Sequence, residues 1–391
     1  MKEGNLLSLS YGRIVRKDAT SNDGLLPESF ETYQIVNPSD VVLRLTDLQN
    51  DKRSLRSAIV TERGIITSAY IAVTPVLHDP RYLAYLMRSY DGAKVFYAMG
   101  GGLRQSMKFD DMRHLPLVLP SADEQRDIGN YLDVQTAKID ALIGKQERLI
   151  ETLAERRQAV ITRAVTKGLH PDVPMVDSGV PWLGSVPRHW SVEAIKRRGM
   201  TGAGTGFPHE FQGREDEKYP FHKVNVLARA DVDGVIRVRS DTVSTATATL
   251  LRASIYPAGS LIMAKIGAAL LLGRIRILGT PACIDNNLMA VQVKRDIEPR
   301  FLFWALNLIQ FDWLVNPGAV PSTSEGAVGN YKLAFPGVEE QRYVAEYLDR
   351  ETSQIDALAA KAREMIVVLK ERRQALISAV VTGKIDVRGL A

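Results

Sequence analysis

Between Ile139 and Val160 apolar side chains return every three or four positions, at Ile139, Leu142, Leu149, Leu153 and Val160, with Gln146 on the same line. The stepping reappears at Ile355, Leu358, Ala362, Met365, Leu369 and Leu376. Such spacing lays one stripe along one face of a helix, and over several heptads it marks a coiled-coil seam. Arg156 and Arg372 interrupt the line at equivalent places. The pattern therefore predicts two long helices. One from about residue 137 to 166 would be about 45 Å long at ~1.5 Å per residue.

The two stripes belong to one repeated text. Pairing Glu124 with Glu340 gives the offset 340 − 124 = 216, which holds without a gap through EQR, YLD, IDAL and ERRQA. Each copy carries helix boundaries. Pro120 and Ser121 precede Glu124 as a capping box would require, Pro336 and Gly337 precede Glu340, and Gly168 and Gly383 suit left-handed stops. Two like units in one chain meet most simply through a pseudo-twofold, which makes the helices antiparallel, each burying the other's stripe.

The segments flanking the stripes alternate on a shorter period. Residues 1–114 contain the β-type runs YQIV, DVVLRL and GIITSAYIAV and a helical stretch from Pro80 to Tyr90. Residues 181–331 contain DGVIRV, SLIMAKI, GRIRIL and LMAVQV and a helix near Arg300 to Ile309. The two domains echo each other at an offset of 219, since 259 − 40 = 219 and 298 − 79 = 219. The expected fold is mixed α/β (α+β): globular domains at 1–114 and 181–331, joined by helical regions at 115–169 and 332–391, with a linker at 170–180. Residues 181 to about 217 have no counterpart in the first copy, so the first domain is expected to lack an N-terminal portion on the order of 40 residues.

Composition narrows the function. Of 391 residues, 45% are hydrophobic and 24% charged, with no long apolar run to span a membrane and no signal-type start, so a cytoplasmic protein is expected. The single cysteine, Cys283, excludes an internal disulfide. A formal net charge of +5 is compatible with a nucleic-acid partner.

Catalytic signatures are missing. Asn37-Pro38-Ser39 and Asn316-Pro317-Gly318 lack the second proline and the aromatic residue that hold a flipped base. The glycines of Gly199–Phe207 lack the strand before and the helix after that a nucleotide loop requires. Thr382-Gly383-Lys384 has no upstream glycine partner, and the histidines show no paired ligand spacing. Neither an enzyme nor a metal site is expected.

What remains are polar, basic loops. In the first domain they offer Tyr11, Arg13, Arg16 and Lys17; then Arg44, Asp47, Gln49, Asn50, Lys52 and Arg53; then Arg104, Gln105 and Lys108. In the second they offer Lys218, His222, Lys223, Lys265, Arg274, Asn286, Ser322, Thr323 and Ser324. Arginine suits the paired acceptors of guanine, and Gln or Asn suits adenine, so such mixtures fit base readout with phosphate anchoring.

The motifs LPLVLPSADEQRDIGNYLD…IDALI…LAERRQAVITRAVTKGL and LAFPGVEEQRYVAEYLD…IDALA…LKERRQALISAVVTGKI resemble the paired helical repeats of type I restriction–modification specificity subunits. VPWLGSVPRHWSV is similar to the opening of a target recognition domain in that family. The resemblance covers essentially the whole chain. It implies a non-catalytic subunit whose two target recognition domains read the halves of a bipartite, asymmetric site in double-stranded DNA. It also implies partners: two methyltransferase (modification) subunits acting on adenine, and endonuclease/translocase (restriction) subunits. No cofactor is expected on this chain; S-adenosylmethionine, ATP and magnesium would sit on those partners. The competing expectation is a protein–protein adaptor built on the same helical pair.

Overall fold

Both stripes lie on unbroken helices in the computed structural model, which describes residues 4–17, 30–48, 55–99, 106–309, 314–316 and 320–390. The central helix, Ala122–Lys167, has 46 residues and the C-terminal helix, Val338–Val381, has 44. Ser121 caps the first, its hydroxyl accepting from the Glu124 N–H at 3.3 Å. Gly168 and Gly383 follow the two helix ends at φ +73° and +72°, conformations that glycine adopts without a Cβ penalty. The chain divides into two units, residues 1–150 with 361–391, and residues 151–360. Each unit therefore holds part of both long helices.

The first unit is built from short strands. β1 (Leu7–Ser10) and β2 (Arg13–Arg16) form a hairpin, and β3 (Gln34–Val36) pairs with β6 (Gly64–Ile66). β4 (Val41–Leu43) lies between β5 (Ser57–Ile59) and β7 (Ile71–Val73), all antiparallel. β4 is buried on both faces. Val41 and Leu43 join the core with Tyr82, Leu86 and Met87 of α1 (Pro80–Gly92), while Val42 joins Leu7, Val36, Val60 and Ile66 on the other side. Short helices α2 (Val95–Met99) and α3 (Phe109–Met112) follow. Ile128 and Leu132 of the central helix and Ile377, Val380 and Val381 of the C-terminal helix complete this core.

The second unit opens with the hairpin of β8 (Met175–Asp177) and β9 (Ser185–Pro187), then β10 (Ser191–Ala194), α4 (Ile195–Arg198) and β11 (Gly199–Ala203). Next come β12 (Tyr219–His222), β13 (Val235–Ile236), β14 (Thr242–Val243) and α5 (Thr245–Leu250). β15 (Leu261–Ala264), α6 (Ala268–Leu271), β16 (Ile275–Leu278), β17 (Cys283–Ile284) and β18 (Leu288–Val293) lead to α7 (Pro299–Leu306), α8 (Glu325–Asn330) and β19 (Lys332–Phe335). The main sheet has the order β11-β18-β15-β16-β13, antiparallel except for β13 beside β16. Every residue of β15 is buried, under Phe301, Leu302 and Trp304 of α7 and beside Ile161, Ala164, Val344 and Leu348 of the long helices. The fold is the expected mixture of α and β, with strands where YQIV, DVVLRL, SLIMAKI, GRIRIL and LMAVQV stand.

Within each unit the two helix segments run antiparallel. In the second, Leu153 clusters with Ile355 and Ala359, Arg157 pairs with Asp356, and Ile161 to Val165 share the core with Val344 to Leu348. Numbers rise along one helix as they fall along the other. In the first, Asp140 pairs with Arg373, while Ile128 and Leu132 share the core with Ile377 to Val381.

The seam differs from its expected line. Ile139, Leu153, Ile355 and Leu369 are buried, and Val160 and Leu376 are half-buried. Leu142, Leu149, Leu358 and Met365 are instead 45, 43, 51 and 48% exposed. The buried line steps by four and then three, through Ile355, Ala359, Ala362 and Leu369. Its second position thus falls one residue later, about 100° around the helix. The contact uses the small side chain of Ala359 where the adjacent Leu358 is larger but turned outward.

Candidate nucleic-acid interface

The loops that could meet DNA are held by a joint that the chain makes twice. In the first unit Asp79 caps α1, and its backbone N–H donates to the Gln125 side-chain oxygen Oε1 at 3.1 Å. Arg81 and the Tyr85 hydroxyl both donate to Asp133, at 3.1 and 2.8 Å. In the second, Glu298 caps α7 and its N–H donates to Gln341 at 2.9 Å. Arg300 and the Trp304 indole both donate to Asp349, at 2.7 and 2.8 Å. Gln125 and Gln341 donate back to the carbonyls of Pro120 and Pro336, at 2.8 and 2.9 Å. The Gln of EQR and the Asp of YLD therefore seat each domain's helix on its long helix. Burial pushes the Tyr85 hydroxyl up to about 12, so it is a neutral donor at physiological pH.

The first domain's candidates divide by position. Tyr11, at φ +46° on the β1–β2 turn, is 84% exposed. Arg13 begins β2, its side chain 71% exposed and 3.4 Å from Asp140. Arg16 is gripped by Glu62, whose oxygens lie 2.8 and 2.9 Å from its Nε. Lys17 and Lys108 are exposed and Arg44 is half-buried. Gln49, Asn50, Lys52, Arg53, Arg104 and Gln105 lie outside the described residues.

The sequence reading missed Arg56, which organises one of these loops. Its side chain is fully buried, and its guanidinium donates to the carbonyls of Arg44, Thr46 and Asp47 at 3.0, 2.8 and 3.2 Å. Its backbone N–H donates to Asp91 at 2.7 Å. Three carbonyls turned onto one cation fix residues 44–47, shortly before the candidates Gln49 to Arg53 in the sequence. Nothing in local spacing separates this arginine from a solvated one, because its carbonyl acceptors lie 9 to 12 residues earlier in the chain and are met only in the fold.

In the second domain the structure gathers Lys265, Ser322, Thr323 and Ser324. The Thr323 N–H donates to the Lys265 carbonyl at 2.9 Å, Ile266 bridges Ser322, and Lys265 pairs with Glu325 at 3.2 Å. Ser324 caps α8 by accepting from the Ala327 N–H at 3.1 Å. Arg274 is exposed on the β15–β16 connection, which also presents Leu271 and Leu272, 55 and 60% exposed. A second group forms where the Asp285 N–H donates to the His222 carbonyl at 2.9 Å. Lys223 there is fixed by Asp241 and Gln212, both at 2.9 Å, and Asn286 is exposed. Lys218 stands apart, over the Tyr219 ring at 5.0 Å.

Two candidates are corrected. His222 is 4% exposed, and burial pushes its imidazole down to about 4, leaving it neutral in the domain interior. Thr323 is 7% exposed and contributes its backbone to the loop. Polar neighbours in the sequence suggest a surface position for each, but the strand or loop pairing beside it buries each. Among the described residues no group of three or more His, Cys, Asp or Glu side chains is placed to hold a metal ion. Among the same residues, no helix is long and apolar enough to cross a membrane.

Comparison with known proteins adds relatives to this geometry. No family model matches the chain. Over 328 residues it is 22% identical to a protein of Methanocaldococcus jannaschii described as the MjaX type I restriction enzyme specificity subunit, covering 79% of this chain and 69% of that one. A chain solved in work on complex assembly and conformational transition of the type I R-M system matches with a TM-score of 0.64 at 17% identity, covering 90% of this chain and 84% of that one. The HsdS subunit from Thermoanaerobacter tengcongensis matches with a TM-score of 0.52 at 16% identity, covering 90% and 82%. By sequence the chain is similar to a type I restriction enzyme specificity subunit, and it shares its fold with these two solved chains.

Proposed function

We propose that this relative of the type I specificity subunits is the non-catalytic, DNA-reading component of a restriction–modification complex. Its two domains would each read one half of a bipartite, asymmetric duplex site, and the paired helices would set the unread gap. The observation that carries the reading is a contrast between what repeats and what does not. The Gln and Asp joints, the ion pairs of the helices and the sequence of the helices are duplicated, while the segments Thr46–Leu55 and Lys265–Arg274, which the offset of 219 aligns, are unlike in sequence. Like supports suit like partners, and unlike loops suit unlike base sequences.

The partners would be two adenine methyltransferase subunits, with endonuclease/translocase subunits joining for restriction. Those subunits would carry S-adenosylmethionine, ATP and magnesium. Exposed Leu142, Leu149 and Met365 give the helices an apolar face for a protein partner. A gel shift of random and site-bearing duplexes, with the purified methyltransferase present, tests the reading. Retention of one sequence over others supports it. Equal retention of every duplex would favour an adaptor whose domains do not read bases.

A further inference from the structure

One strand edge is covered in the second unit, and its counterpart in the first pairs with no described strand. β19 lies antiparallel to β10, with Ser191 opposite Phe335 and Glu193 opposite Leu333. Leu333, Ala334 and Phe335 are each 2% exposed. Ala334 lies in a cluster with Leu183, Val186 and Trp190. The Trp190 indole and the His189 ring hold the two oxygens of Glu340, at 3.1 and 2.9 Å.

The offset of 216 carries these positions onto Leu117, Val118, Leu119 and Glu124. There the same stretch pairs with no described strand, and the three apolar residues are 38, 51 and 43% exposed. Its backbone is already oriented. In the second unit the Ile195 N–H donates to the Tyr331 carbonyl at 3.0 Å, a parity that turns Leu333 and Phe335 toward β10 and Ala334 away from it. The Val118 carbonyl likewise turns away from the open side, accepting from the Tyr82 hydroxyl at 2.6 Å. Among the described residues, no backbone hydrogen bond reaches Leu117 or Leu119. The Glu124 carboxylate has Arg388 near it but accepts no ring N–H from a described residue. Unpaired backbone groups between exposed apolar side chains form an edge that accepts a strand.

We propose that Pro116–Leu119, with Glu124, is an acceptor edge for an extended segment of a separate polypeptide with the pattern of residues 182–194. Its Trp and His would take the Glu124 carboxylate, and the strand after them would cover Val118. The occupant follows from the chain's own second unit, where that segment covers the equivalent edge beside an equivalent Gln and Asp joint. The inference stands apart from the reading of DNA.

The test titrates a synthetic peptide of residues 180–195 (VPWLGSVPRHWSVEAI) into the full chain and follows binding by calorimetry. One peptide should bind per chain. Leu119→Pro, which removes an N–H aimed at the incoming strand, and Val118→Asp, on an exposed side chain, should each weaken binding at least tenfold. A peptide with Trp190→Ala should bind less tightly than the parent. The proposal is overturned if the peptide does not bind. It is equally overturned if both variants bind as the parent chain does, because the peptide would then be exchanging with β10 in the second unit.

Discussion

Arg373 of the C-terminal helix lies 3.0 Å from Asp140 of the central helix. The duplication makes the same pair again, Arg157 with Asp356 at 3.1 Å, because 157 + 216 = 373 and 140 + 216 = 356. The two equivalent ion pairs, with their residues exchanged between helices, repeat one antiparallel contact within each unit. Both are partly exposed, so each should couple by about 1 kcal/mol or less. Double-mutant cycles in urea unfolding, with Asp140→Ala and Arg373→Ala, should give a coupling of that size. The exchange Asp140→Arg with Arg373→Asp should recover most of the loss caused by either change alone.

Packing along the seam predicts a sharp local contrast. Leu153 is 6% exposed against Ile355 and Ala359, whereas Leu149, about one turn earlier, is 43% exposed. Leu153→Ala should cost about 2–5 kcal/mol. Leu149→Ala should stay within about 0.5 kcal/mol. Equal losses in denaturant midpoints would place the contact line elsewhere.

The joint on the second domain should tolerate little. Asp349 accepts from both Arg300 and Trp304, and Asp349→Ala leaves two donors beside the core. A loss of about 2 kcal/mol is expected from hydrogen bonds to a charged group. Asp133→Ala should act in the same direction through Arg81 and Tyr85. Thermal melts of the two variants check both.

His222 should make stability depend on pH. Its folded value of about 4 lies below the ordinary 6.5. Between those values the unfolded chain binds a proton that the folded chain refuses, so stability is lost as pH falls through 6.5 toward 4. The part of that loss between pH 7 and about 5.5 is about 1 kcal/mol, at ~1.36 kcal/mol per unit. The buried carboxyl of Asp285, raised by burial, acts with the opposite sign. Urea midpoints at both pH values, for the parent and His222→Gln, should show a slope that the variant lacks.

Much of this was legible in the residues, and what escaped has a common cause. Period and offset revealed the helices, their caps and the duplication, because those signals are local or repeated. The first position of each heptad, at Ile139, Leu153, Ile355 and Leu369, follows from the same stripe. The second position was obscured because Leu358 and Met365 are more apolar than Ala359, although the smaller residue makes the contact. EQR and YLD stood out as text. Their work could not be read, because Gln125 and Asp133 act on Asp79, Arg81 and Tyr85 more than 40 residues away. Arg56 and His222 look like surface polar residues until strands from elsewhere bury them.

The most direct test of the account is to map methylated adenines by single-molecule sequencing in cells carrying this chain with its methyltransferase. One bipartite motif with a fixed unread gap is expected, in which changing a first-domain turn residue such as Tyr11 alters one half and leaves the other intact. Methylation without a motif, or a motif indifferent to this chain's loops, would contradict it.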